Sequence, residues 1–590
     1  MSVGGLWTAI LKALGGAWRW IARRSLTLFG AAAVLGVLLV AAVAAGVLAE
    51  RRGYPDKAWR QITAMMEQHE TEQTAEWHQA VLNQHTLEWA AVRIGPPSRG
   101  GGIAEIDGNV VFATPQGRIN YLNRNNELGS LDLRTPMNLE VLRRAPVMED
   151  PLFDISTVRT HDLFVRPAAE PGRYELYATF SRYVSDNCFN FVMARALIAA
   201  DGATLRPVSP DWEELFVARP GCIRYKDRSW RFVGDQAGGR MQMLNDHTML
   251  ISIGDHQFDG FNDSHNAPMD PAWDLGKIIA FDLNTRHSRI YARGLRNPQG
   301  LVVMRDGRIV ETEHGPQGGD EINVIREGGN YGWPLVTYGM NYGFPRRTWL
   351  SDPTPGGHGG YDHPAIAFVP SVGIANLTQP SAHEFPLWAD NDLILGSMRA
   401  RTLFHVRIDG DRVGYTEPLP FGDYRLRDMI TMNDGRIVIL TDSGSLIFIR
   451  NADLHENEPR EFNVTGLQSL PEDDALPADA SPQERGRHFY GAACASCHSL
   501  DGEIGIGPPL NGVIGRRIGS VEGFGYSPAL AGQDGVWTAD ALANFASDPQ
   551  GRYPGTTMPP STMSWTAMPD IAAFLRTTRA SAPRRADDVE

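Results

Sequence analysis

Hydrophobic and polar positions alternate in short runs across the middle of the chain. Runs at 110–113, 175–180, 249–253, 277–283, 309–313, 392–396, 402–408, 437–441 and 445–450 each predict a strand, because successive side chains of an extended chain face opposite sides. Asp-Gly pairs at 107–108, 201–202, 306–307, 409–410 and 434–435 punctuate them as turns. Many short strands with tight turns predict an all-β domain over residues 101–452. That span, about 350 residues, exceeds a sandwich and fits a β-propeller, whose four-stranded blades ring a central axis. No fixed-period repeat is visible, so the number of blades does not follow from the pattern.

The flanks read differently. Residues 25–49 are apolar almost throughout, long enough to cross a bilayer as a helix. Lys12, Arg19, Arg23 and Arg24 precede this stretch, which predicts a cytoplasmic N-terminus and a periplasmic body on a single-pass inner-membrane anchor. A signal peptide cleaved after Val47-Leu48-Ala49 is the competing reading. Residues 1–24 read as an amphipathic segment on the cytoplasmic side. Residues 50–100 begin rich in Gln, Glu, Ala, Trp and His and predict a polar helical stalk. An acidic, Pro-containing linker is expected at 453–480. The last domain, 481–590, opens with Ser481-Pro482-Gln483-Glu484, the signature of a capped helix start.

With 590 residues, 42% of them hydrophobic and 21% charged, the chain has several domains and large cores. A net charge of −14 excludes nucleic acid as a partner. Four cysteines are present. Cys494 and Cys497, followed at once by His498, form the Cys-x-x-Cys-His attachment site of one c-type haem. The remaining pair, Cys188 and Cys222, reads either as a disulfide or as two buried thiols.

Residues from about 481 to 580 resemble a class I, mitochondrial-type cytochrome c. The stretches that carry this are GAACASCH, GPPLNGVIGRRIGS, EGFGYSPAL, VWTADALANF, YPGTTM and DIAAFLRTT. The resemblance implies an all-α domain with His498 as proximal and Met558 as distal iron ligand, Met563 and Met568 being alternatives. It also implies Tyr526 and Trp537 against the haem propionates, or else simply packed. A thioether opposite an imidazole raises the reduction potential and leaves no open position for oxygen. No lysine follows Arg485, so the basic ring that steers a diffusing cytochrome is missing and a tethered domain fits better.

A second resemblance lies in the β domain. GLRNPQGL at 294–301, EHGPQGGDEIN at 313–323 and GNYGWP at 329–334 are similar to the soluble quinoprotein glucose dehydrogenase and aldose sugar dehydrogenase family. That family implies a six-bladed propeller with pyrroloquinoline quinone (PQQ) and calcium on its axis. By position, Arg296 and Asn297 would face the quinone, Arg399 would stand at a basic position, and Arg425 and Arg427 would pair with the quinone carboxylates. The backbone carbonyls of Gly315 and Pro316 would hold calcium, and Asp320 and Glu321 fall where another calcium would lie. One departure is chemical. In the run Gly234-Asp-Gln-Ala-Gly-Gly-Arg240, Asp235, Gly239 and Arg240 match the family, but Gln236 replaces its general-base histidine. A carboxamide cannot accept the proton. His161, His256 and His314 are the candidate substitutes.

Two readings follow. In the first, the chain is a membrane-anchored quinohaemoprotein dehydrogenase that oxidises a sugar or alcohol and passes electrons through its haem to a respiratory acceptor. In the second, the propeller is degenerate and serves as a docking or structural module beside an electron-transfer cytochrome.

Overall fold

The computed structural model describes residues 72–578, except 97–99, 150–152, 154, 225–233, 261–264, 341–357, 420–421, 423, 468–469, 471–480, 496, 501, 503, 505–506 and 559–566. Its strands form six sheets of four or more strands and one two-stranded ribbon. In each large sheet one strand stands innermost: Ile103–Ile106, Thr160–Pro167, Gly238–Met243, Pro298–Val303, Ile374–Thr378 and Leu426–Thr431. Each packs on the next, and the sixth packs on the first. The closed ring is a six-bladed propeller. Strands such as Ile437–Thr441 are buried at every position because blades cover both faces.

The expected helical stalk is corrected where it is described. Glu72–Glu76, His78–Val81 and Thr86–Arg93 are strands. Thr86–Arg93 pairs with Ser445–Asn451 and completes the sixth blade outside its three C-terminal strands. Helix-favouring residues here yield to tertiary demand, since an open blade would leave a row of unpaired backbone groups. Among the described residues no helix is long and apolar enough to cross a membrane. The predicted anchor at 25–49 and the segment 1–24 lie outside them. Cys188 and Cys222 form a disulfide, with Cα atoms 5.3 Å apart.

The meander gives the propeller two unlike faces. The innermost strands start on one face, which also carries the loops between second and third strands. The Asp-Gly turns, between first and second or third and fourth strands, lie on the other face. Glu72–Glu76 pairs with Glu461–Thr465 as a ribbon. The Thr465 N–H donates to the carbonyl of Asn126, in a turn of that second face. The segments entering and leaving the propeller are therefore held together on the Asp-Gly face.

The C-terminal domain is helical: Pro482–Ala493, Pro528–Ala531, Ala539–Ser547, Pro549–Arg552 and Met568–Leu575. Ser481 and Glu484 form the predicted reciprocal cap. The first and last helices pack together, tied by Arg485 on Asp570 at 2.7 and 2.8 Å. Tyr490, Trp537, Phe545, Ile571 and Phe574 fill the core.

Candidate functional site

The haem centre is built where the first helix ends. The backbone N–H groups of Cys497 and His498 donate to the Cys494 carbonyl, so the motif forms one tight turn. His498 Nδ1 donates to the Pro508 carbonyl at 2.7 Å, which leaves Nε2 as the ligating nitrogen. Burial lowers the His498 pKa and favours the neutral imidazole that a metal requires. Gly507 lies against this ring, and a Cβ there would come within 2.4 Å of Cε1. Met558 and Cys494 border the same apolar core. Met568 is a buried core residue at a helix start, and Met563 lies outside the described residues. These residues fit a haem c held by two thioethers between His498 and Met558.

Trp537 packs on Phe545 and Tyr553, and Tyr526 stands beside Arg516. Arg516 was not singled out by the motif. Its guanidinium donates to the carbonyls of Pro509 and Asn511, both at 2.7 Å, and no carboxylate pairs with it among the described residues. A partly buried, unneutralised guanidinium suits an anionic group such as a propionate.

The second site lies at the axis, on the face where the innermost strands begin. Arg240 stands on the innermost strand of the third blade. Buried, it reaches Asp162 of the second blade at 2.9 Å, Asp428 of the sixth at 2.7 Å, and the Gln299 carbonyl of the fourth at 2.7 Å. Asp428 in turn accepts from the Ile103 N–H of the first blade and from Asn376 of the fifth. One buried network thus joins all six blades.

Above it, Gln236 adopts a left-handed backbone, φ 56°. With its amide oriented to satisfy both neighbours, its nitrogen donates to Asp255 Oδ1 at 2.5 Å and its oxygen accepts from Arg296 at 3.0 Å. Asp255 also accepts from Trp333 Nε1 at 2.7 Å. Burial, then neighbouring Asp259, pushes the Asp255 pKa up to about 8. The residue at the base position is therefore a fixed bridge.

Of the substitute histidines, His314 and His161 are engaged elsewhere, whereas His256 adjoins the site, its backbone N–H donating to the Gln236 carbonyl at 3.2 Å. His314 donates through Nε2 to the Ile374 carbonyl at 2.5 Å, and its Nδ1 faces the Asn297 amide at 3.2 Å. His161 bonds Ser181 and stacks on Phe191. Burial lowers the His256 pKa to about 3. Asp235 is the half-exposed carboxylate beside Gln236, paired with Arg159 at 3.2 Å.

Arg425 and Arg427 come together and share one carboxylate, Asp442, at 3.1 and 2.8 Å. Arg399 is exposed on the same face. Two arginines on one aspartate leave a positive surplus, which fits a polycarboxylate such as PQQ. Arg296 Nε is buried with no partner among the described residues and is a spare donor for it.

Calcium at Gly315 fits less well. The Gly315 carbonyl accepts from Arg296 Nη1 at 2.9 Å, and the His314 carbonyl accepts from the same atom at 3.1 Å. Asp320 caps the backbone of Gly373 and Ile374. Glu321 lies buried near Glu313. Among the described residues no group of three or more His, Cys, Asp or Glu side chains is arranged to hold a metal.

Comparison with known proteins finds relatives of both domains. The family described as Glucose / Sorbosone dehydrogenase matches residues 172–450, and the family described as Cytochrome c matches 483–579. The aldose sugar dehydrogenase YliI of Escherichia coli is 34% identical over 164 residues, covering 27% of this chain and 42% of that protein. Cytochrome c 2.1 of Caenorhabditis elegans is 40% identical over 80 residues, covering 13% of this chain and 72% of that one. The solved structure of the soluble aldose sugar dehydrogenase of Escherichia coli in its apo form covers 61% of this chain and 99% of that one, at 18% identity and a TM-score of 0.49. The chain thus spans less than half of the first relative and most of the second. It joins a propeller domain of the glucose/sorbosone dehydrogenase type to a haem c domain that belongs to the cytochrome c family.

Proposed function

We propose that this protein is a quinohaemoprotein dehydrogenase, anchored in the inner membrane with its body in the periplasm. It oxidises a sugar or another alcohol at the propeller axis and passes the electrons through its own haem to a respiratory acceptor. The observation that carries this reading is the sharing of Asp442 by Arg425 and Arg427, with Arg399 exposed beside them. That surplus of positive charge suits PQQ, which when bound supplies the two-electron acceptor for alcohol oxidation. A haem on the same chain keeps the next acceptor at high effective concentration. The disulfide suits the oxidising compartment that haem attachment and the predicted anchor orientation both require.

Gln236 sets the proton chemistry apart from that of related dehydrogenases. Asp235 stands next to it at the rim and is the carboxylate assigned as base. Asp235→Asn would then lower kcat far more than it raises KM. The same observation about Gln236 favours the second reading, a propeller that docks or supports the cytochrome without catalysis. Titration of the full-length, haem-loaded protein with PQQ separates the two. Saturable binding that weakens at least tenfold in Arg425→Ala/Arg427→Ala supports the dehydrogenase, and absence of binding leaves the docking role.

A further inference from the structure

The Gly315 carbonyl is already held by a cation. Arg296 is buried. Its backbone N–H donates to Glu313 at 2.5 Å, and its guanidinium lies 5.3 Å from the centre of the Trp333 ring. Nη1 donates to the carbonyls of His314 and Gly315, while Nη2 donates to the oxygen of Gln236. Gln236, bonded to Asp255 on its other side, keeps the guanidinium from swinging away.

A calcium ion at that carbonyl would sit about 2.3–2.6 Å from its oxygen and repel the guanidinium held at 2.9 Å from the same atom. A guanidinium can satisfy a carbonyl and still offer donors to an anion, whereas calcium would require further oxygen ligands. We infer that Arg296 is the resident cation of this pocket: it caps the Gly315 carbonyl in place of calcium, so that a quinone anion binds here without the ion. The inference rests on the dehydrogenase reading for its ligand, but not for its metal.

Two measurements on the full-length, haem-loaded protein test it. Terbium(III), a calcium mimic, is added to protein stripped with a chelator, and luminescence sensitised by Trp333 is read as the part lost in Trp333→Phe. The wild type gives none, Arg296→Gln gives such a signal, and Arg296→Lys, which keeps a cation, stays dark. A Trp333-dependent signal in the wild type overturns the inference, and that result stands even where Arg296→Gln fails to fold.

PQQ is then titrated with chelator or with calcium. The wild-type Kd stays within about twofold between the two, a limit well inside the tenfold that 1.4 kcal/mol would give. An affinity gain of tenfold or more with calcium overturns the inference. If PQQ binds under neither condition, the dehydrogenase reading falls, while the terbium result still decides which cation the pocket holds.

Discussion

Arg240 and Asp428 stand on the third and sixth blades, yet their side chains meet at 2.7 Å on the propeller axis. Both are fully buried, and Asp162 completes the cluster from the second blade. Removing the guanidinium leaves two buried carboxylates without their counter-ion, an effect of about 3–5 kcal/mol. Arg240→Met should therefore lower the thermal midpoint of the propeller sharply while leaving the haem spectrum unchanged. A midpoint within a degree of wild type would show that the axis is not held this way.

Glu311, Glu313 and Glu321 crowd round Asn323 between buried strands. Burial, then mutual repulsion, raises Glu311 and Glu321 well above their ordinary value of 4.5; burial alone raises Glu313 to about 7. A folded-state pKa above the unfolded one contributes stability at low pH that is lost as pH rises through the folded value. The propeller should lose stability between pH 5 and pH 8. Glu311→Gln should flatten that dependence and raise the midpoint at pH 8 by several degrees, read by calorimetry. An unchanged slope would contradict it.

Gly507 leaves room for the His498 ring, and a Cβ would intrude to 2.4 Å. Gly507→Val should displace the imidazole, shift the potential and weaken the low-spin ferric spectrum, with the thioether bonds intact. Met558→Ala should abolish the long-wavelength sulfur-to-iron band. Persistence of that band would move the distal ligand elsewhere.

The Cys188–Cys222 disulfide closes a span of 34 residues. Loss of the constraint on the unfolded chain predicts about 3–4 kcal/mol of destabilisation. Cys188→Ser should show it in urea unfolding under oxidising conditions, and reduction should bring the wild type to the same midpoint.

Much of this was legible in the sequence. Cys494, Cys497 and His498 are adjacent along the chain, so their chemistry needs no fold to be seen. Ser481 and Glu484 cap a helix through contacts only three residues apart. Strands at 309–313 and 437–441 are legible because short β-branched runs bounded by turn residues set them locally. The closing strand Thr86–Arg93 was missed because its partner lies more than 350 residues away, at Ser445–Asn451. The role of Arg240 was hidden because its partners come from other blades. Asp442 and Asp255 carry no motif of their own: each acts only through an arginine or glutamine that the fold brings beside it. Arg516 lies within the quoted stretch GPPLNGVIGRRIGS, but its contacts with the Pro509 and Asn511 carbonyls are set by the fold.

Haem reduction tests the central claim most directly. The full-length, haem-loaded protein is oxidised, mixed with PQQ and a panel of aldoses and alcohols, and followed at the ferrous haem α-band. The account predicts reduction that requires both PQQ and one class of substrate, at a rate independent of protein concentration because donor and acceptor share a chain. A haem that stays oxidised across the panel, yet is reduced at once by dithionite, would contradict it.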